Sequence, residues 1–77
     1  MGMQITEDEM WDAGEQGCGE LLIELRHRLR TMPGRVLKLV ATDAGAPEDI
    51  PAYCRVTGHI LLSATPPAYW IRARASQ

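Results

Sequence analysis

The sequence predicts an α/β fold of the α+β kind: a two-layer sandwich in the order β-α-β-α-β-β, with two helices on one face of a four-stranded mixed sheet. Three observations carry this reading. From Gly19 to Met32 the apolar residues Leu21, Leu22, Leu25, Leu29 and Met32 recur at helical spacing. From Arg35 to Asp43, Leu37, Leu39 and Ala41 alternate with Val36, Lys38, Val40 and Thr42, the period of a strand covered on one face. Strand-helix-strand connections are right-handed almost without exception, which puts both helices on the same side of the sheet.

The elements follow in order. Glu9 to Ala13, with Met10 and Trp11, has strand-forming character, and the stretch Gly14, Glu15, Gln16, Gly17 reads as a loop. In the first helix Glu20, Glu24, Arg26, Arg28 and Arg30 lie toward the polar side. Glu24 and Arg28 form an i,i+4 pair, and Pro33 with Gly34 stops the helix. After the second strand, Pro47 to Thr57 reads as a helix on the stripe Ile50, Tyr53, Cys54, Thr57, with Gly58 as a left-handed C-terminal cap. Pro51 is compatible with that helix only in its first turn, where its missing N–H has no partner to lose. His59 to Thr65 and Ala68 to Ala75 read as two strands around Pro66 and Pro67. Tyr69, Ile71 and Ala73 fall on one face of the last strand, and Trp70, Arg72 and Arg74 on the other.

Seventy-seven residues, 45% of them apolar, suffice for one core, so residues 8–75 are expected to form a single domain after a loosely held stretch 1–7. A formal charge of -2 argues against a duplex nucleic-acid binder, which would need many Lys and Arg contacts to phosphates. No stretch approaches the roughly 20 apolar residues of a membrane helix, and Met1 to Thr6 lacks the features of a targeting segment. A cytoplasmic protein with two free thiols, Cys18 and Cys54, acting as a monomer, is the expectation.

Cys18 falls where the loop becomes the first helix. The unpaired backbone N–H groups of a first turn favour an anion and lower a thiol pKa from its reference of about 8.5, whereas Asp12, Glu15 and Glu20 push the other way. A moderately activated thiol results, suited to exchange chemistry. Against this stands the reading of Cys18 as a small core hydrophobe on the side of Leu22, Leu25 and Leu29. The flanking Gly17 and Gly19 tell against that, since they offer no packing and leave room for another molecule's sulfur. Cys54, on an apolar stripe far from a helix end, reads as core.

His27 and His59 have no third ligand at metal spacing, and no cofactor is expected. Asp43, Glu48 and Asp49 are read as turn and capping residues rather than catalytic carboxylates. Trp70, Arg72 and Arg74, with Lys38, would make an aromatic and basic patch on the open sheet face, a weak platform for single-stranded RNA given the acidic net charge.

Taken together, Asp12 and Ala13 before the Cys18 loop, the segment ATDAGAPEDIPAYCRVTGH from Ala41 to His59, and the strand ending Ile71, Arg72 resemble the TusA (SirA-like) family. The resemblance spans about Trp11 to Arg74 and implies the same β-α-β-α-β-β sandwich. It further implies a cysteine that takes a persulfide sulfur from a cysteine desulfurase or related donor and passes it to an acceptor protein, and Cys18 occupies that position. The family's motif there is C-P-x-P, whereas this chain has Cys18, Gly19, Glu20, Leu21. Loss of the prolines leaves the helix start less stiff without removing its backbone N–H groups. Partner docking is assigned to the polar side of the first helix, at Ile23 beside Arg26 and Arg30. The competing function is a non-catalytic module that regulates a partner protein through the same fold.

Overall fold

The computed structural model describes residues 5–75, and of Cys18 only its backbone. The elements are β1 (Glu9–Gly14), α1 (Cys18–Arg30), β2 (Val36–Ala41), α2 (Ala46–Thr57), β3 (Ile60–Thr65) and β4 (Ala68–Arg72). The strands form one mixed sheet in the order β1-β2-β4-β3, with β1 parallel to β2 and the other two pairings antiparallel. The predicted α+β sandwich is thus the fold observed.

The alternation in β2 and β4 explains how the layers join. Leu37 pairs with Ile71 and Leu39 with Tyr69, and all four are fully buried together with Leu21, Leu25 and Leu29 of α1 and Ile50 of α2. On the opposite face Lys38 pairs with Trp70, its ammonium 5.3 Å from the ring, and the indole Nε1–H donates to Glu7 Oε1 (3.2 Å). Val36 departs from the simple alternation and is buried, because the chain before β1 folds along it. Asp8 N–H donates to Val36 O and the Asp8 carboxylate accepts from Val36 N–H, both at 2.8 Å. The predicted Glu24–Arg28 pair forms at 3.0 Å, and the Arg28 guanidinium also lies 4.5 Å from the centre of the Trp11 ring.

Several boundaries differ from the sequence reading. α1 begins one residue earlier, at Cys18, and ends at Arg30, since Thr31 turns back to bond Arg28 O. Met32 is nonetheless buried, held in the core by the loop rather than by the helix. Pro51 is not in the first turn of α2. Pro47 sits there instead, and Pro51 lies one turn further along, where it deprives the Pro47 carbonyl of a helical donor. The helix continues to Thr57 because the buried Ala46, Ile50 and Cys54 pin it to the sheet. Gly58 adopts the expected left-handed cap (φ 85°), its N–H on Cys54 O at 3.0 Å. The N-cap of α2 is Gly45, not an acidic side chain. Asp43 accepts from Gly45 N–H at 3.0 Å, within the turn, while Glu48 and Asp49 lie in the first helical turn, where their charge suits the dipole.

β4 ends at Arg72, so Arg74 does not continue the outward row of Trp70 and Arg72. Its backbone N–H donates to Nδ1 of His59 (3.1 Å) and its side chain passes Gly58. The aromatic and basic patch of the open face therefore consists of Trp70, Lys38 and Arg72 without Arg74.

His59 is buried (8% exposed), its ring stacked on Tyr53 at 6.0 Å. Burial, with a smaller contribution from the Arg74 charge, holds its pKa below the ordinary 6.5. Protonation also destroys the Nδ1 acceptor. In the unfolded chain the imidazole takes up its proton near pH 6.5, before the folded protein does, so the stability supplied by neutral His59 is complete above that pH and is lost as pH falls below it. The thermal midpoint is expected to drop between about pH 7.5 and pH 5.5, and to drop less in His59→Asn, which keeps an acceptor but cannot titrate. Equal pH dependence in both proteins would remove His59 from this role.

Candidate functional site

The start of α1 is built from the end of β1. Asp12 pairs with Val40, but the next pair is Gly14 with Ala41, so Ala13 bulges out of the ladder. Gly14 takes a positive φ of 59°, a conformation glycine adopts without steric cost. Asp12 Oδ1 holds its N–H (2.9 Å), and its carbonyl accepts from both the N–H (2.9 Å) and the hydroxyl (2.8 Å) of Thr42. Asp12 thus fixes the turn that launches the loop.

The loop leads to Gly17, the N-cap, with extended backbone (φ -68°, ψ 154°) and no side chain to bond the first turn. The first helical hydrogen bond runs from Leu21 N–H to Gly17 O (2.8 Å), so the N–H groups of Cys18, Gly19 and Glu20 precede the helical ladder. This is the anion-favouring environment expected of the site. Gly17 and Gly19 are exposed, and a Cβ added to either would meet no atom within 4 Å. Space for an approaching group exists on both sides of residue 18. The placement of the Cys18 thiol lies outside the described residues. Glu20 is exposed in the first turn.

Cys54 has the opposite setting. It is 3% exposed on the inner face of α2, and burial pushes its thiol up to about 11. Such a thiol is almost wholly protonated at neutral pH and inert as a nucleophile.

The residues assigned to docking fall further along α1. Ile23 is 62% exposed, and Arg26 and Arg30 are exposed one and two turns beyond it. By the rise of an α-helix, Arg26 and Arg30 stand about 12 and 18 Å along the axis from Cys18. The two arginines line a groove of about 420 Å³ with Tyr53, Val56 and Thr57 of α2, and with His59 and Arg74. Ile23 does not line it. The predicted site therefore separates into a helix-start end, with Asp12, Gly17, Gly19 and Glu20, and a groove end, with Arg26 and Arg30. Sequence reasoning missed the groove's other wall. The available signal was Val56, an apolar residue off the buried stripe of α2 and 84% exposed.

Restoring half of the family motif tests the geometry of the helix start. Gly19→Pro places proline in the first turn, where its Cβ meets no atom within 4 Å and no helical N–H is lost. Stability is expected to rise by about 0.4 to 1 kcal/mol through the stiffer unfolded chain. A fall in the thermal midpoint would show a backbone at Gly19 that proline cannot adopt.

Fold and site together define a small α+β domain whose first crossover helix opens with a cysteine between two glycines. The sequence model of the family described as Sulfurtransferase TusA matches residues 10–74, and the chain belongs to that family. Among similar proteins is the Sulfur carrier protein TusA of Pseudomonas aeruginosa (strain LESB58), 37% identical over 78 residues, covering 95% of this chain and 99% of the relative. Another is the Sulfur carrier protein TusA of Pseudomonas putida (strain GB-1), 37% identical over 75 residues, covering 91% and 94%.

Proposed function

We propose that this protein is a sulfur carrier that accepts a persulfide sulfur on Cys18 and delivers it to an acceptor protein in a relay. The observation that carries the reading is the position of Cys18 as first residue of α1, after an N-cap without a side chain, in a chain of the TusA family. The Cys18 thiolate attacks the outer sulfur of the donor's Cys–S–SH. The donor's S–S bond breaks, its electron pair leaves with the donor thiolate, and a new S–S bond forms to Cys18. Sulfur moves without net oxidation, so no external oxidant or cofactor enters the step. The first-turn N–H groups favour the attacking thiolate, and the space beside Gly17 and Gly19 admits the donor's sulfur.

The donor is a cysteine desulfurase or a related persulfide protein, and both donor and acceptor dock on Ile23, Arg26 and Arg30. The setting is the cytoplasm, where a free thiol persists, and the carrier works as a monomer. Incubation with a desulfurase and cysteine, followed by intact-mass measurement, should show the gain of one sulfur atom that reductant removes. One specific observation favours a second reading, a regulatory module without transfer: Gly19 and Leu21 stand where the family motif has prolines. Failure to gain sulfur from several donors would select that reading.

A further inference from the structure

The loop that delivers Cys18 has little packing to hold it. None of residues 14–17 is buried, and a Cβ built on Gly14 or Gly17 would meet no atom within 4 Å. The direction of the loop is set at Gly14, whose positive φ of 59° lies in a region that sterics do not confine for glycine, so hydrogen bonds must hold this hinge. Asp12 Oδ1 accepts its N–H. Its carbonyl accepts twice from Thr42, from the backbone N–H at 2.9 Å and from the hydroxyl at 2.8 Å. We propose that Thr42 is a positioning residue for Cys18: its hydroxyl restrains the Gly14 hinge and so fixes how the loop enters α1.

The two bonds from Thr42 differ in what they require. Its N–H continues the ladder one step past the Gly14–Ala41 pair, and any residue but proline would supply it. The hydroxyl bond needs threonine or serine. Thr42 is exposed, so water would satisfy its hydroxyl, and neither burial nor the sheet calls for the second bond. What that bond does is occupy the other acceptor site of the Gly14 oxygen and restrain rotation of the peptide that follows. Thr42 is itself well anchored, since Ala41 before it is buried and donates its N–H to Pro67 O (2.9 Å). Gly17, three residues beyond the hinge, supplies the carbonyl of the first helical hydrogen bond, from Leu21 N–H at 2.8 Å. A rotation at Gly14 therefore frays the turn whose N–H groups favour the Cys18 thiolate, an effect confined to that turn. The inference deepens the carrier reading and rests on it for the role of Cys18 as nucleophile.

The test is the rate at which iodoacetamide alkylates the native full chain at about pH 7, read by intact mass and site mapping, in the parent, Thr42→Val and Thr42→Ser. Valine keeps the branched shape and the backbone N–H and removes only the hydroxyl. Cys18 of Thr42→Val should react more slowly by about twofold to tenfold, the change in population that one net hydrogen bond makes. Thr42→Ser, which keeps the hydroxyl, should restore the parent's rate. Cys54 is the control: buried in α2, it stays unmodified while the fold holds, whereas a general loosening exposes both thiols. The proposal is overturned if Cys18 of Thr42→Val reacts as fast as the parent's or faster, if Thr42→Ser is as slow as Thr42→Val, or if Cys54 becomes reactive alongside Cys18. No sulfur donor enters this measurement, so its failure is distinguishable from a failure of the parent to gain sulfur, which would strike the carrier reading instead.

Discussion

Cys18→Ser is expected to acquire no sulfur from a desulfurase while keeping its fold, whereas Cys54→Ser should load like the parent and lose stability. A hydroxyl cannot form a persulfide, and serine at a helix start is an acceptable residue that can bond a first-turn N–H, so the fold should barely notice the first change. At position 54 the argument reverses. With its pKa near 11, fewer than about one in a thousand Cys54 thiols is ionised at pH 7, so loading does not pass through it. Its replacement puts a hydroxyl among the buried side chains of α2 and the sheet, at a cost on the order of 1 to 3 kcal/mol if it finds no partner. Labelled-sulfur transfer on both variants, beside thermal melts, reads the two halves separately. Label on Cys18→Ser with none on Cys54→Ser would move the carrier site to α2.

The parts of this molecule that were legible in its sequence are those governed by local periodicity. Leu21, Leu25 and Leu29 announce the inner face of α1, and the alternations in β2 and β4 announce which side of the sheet meets it, because burial on one face leaves a period in the chain. The helix start at Cys18 was legible within one residue from Gly17, Gly19 and the apolar pattern that follows. What was not legible depends on contacts distant in sequence. Arg74 leaves the β4 alternation because its N–H finds His59, fifteen residues earlier, and no periodicity records that hydrogen bond. Pro51 is accepted in the second turn of α2 because Ile50 and Cys54 are anchored in the core, a tertiary gain that outweighs a local rule. The groove required both helices to be placed before Arg26, Val56 and Arg74 could be seen as neighbours.

The helix that presents Cys18 is held by its buried stripe, so Leu25→Ala is expected to be the most damaging single truncation on that element. Leu25 is fully buried in the core beneath the middle of α1. Removing its three outer carbons forfeits their transfer free energy and leaves a cavity that the sheet cannot collapse to fill, a loss of about 2 to 5 kcal/mol. A domain of this length has about 4 to 12 kcal/mol to lose, by the usual stability per residue. The variant should therefore be marginal or unfolded at 37 °C, with sulfur loading lost because the first turn of α1 no longer forms. Arg26→Gln, the next residue but on the exposed side, should change stability by no more than about 0.5 kcal/mol. Urea unfolding of the three proteins measures both effects, provided the slopes agree so that midpoints compare stability alone. A Leu25→Ala unfolding free energy within about 1 kcal/mol of the parent would mean that α1 is anchored by Leu21 and Leu29 without it, and that the helix start is steadied by the Asp12–Gly14–Thr42 clamp rather than by the core.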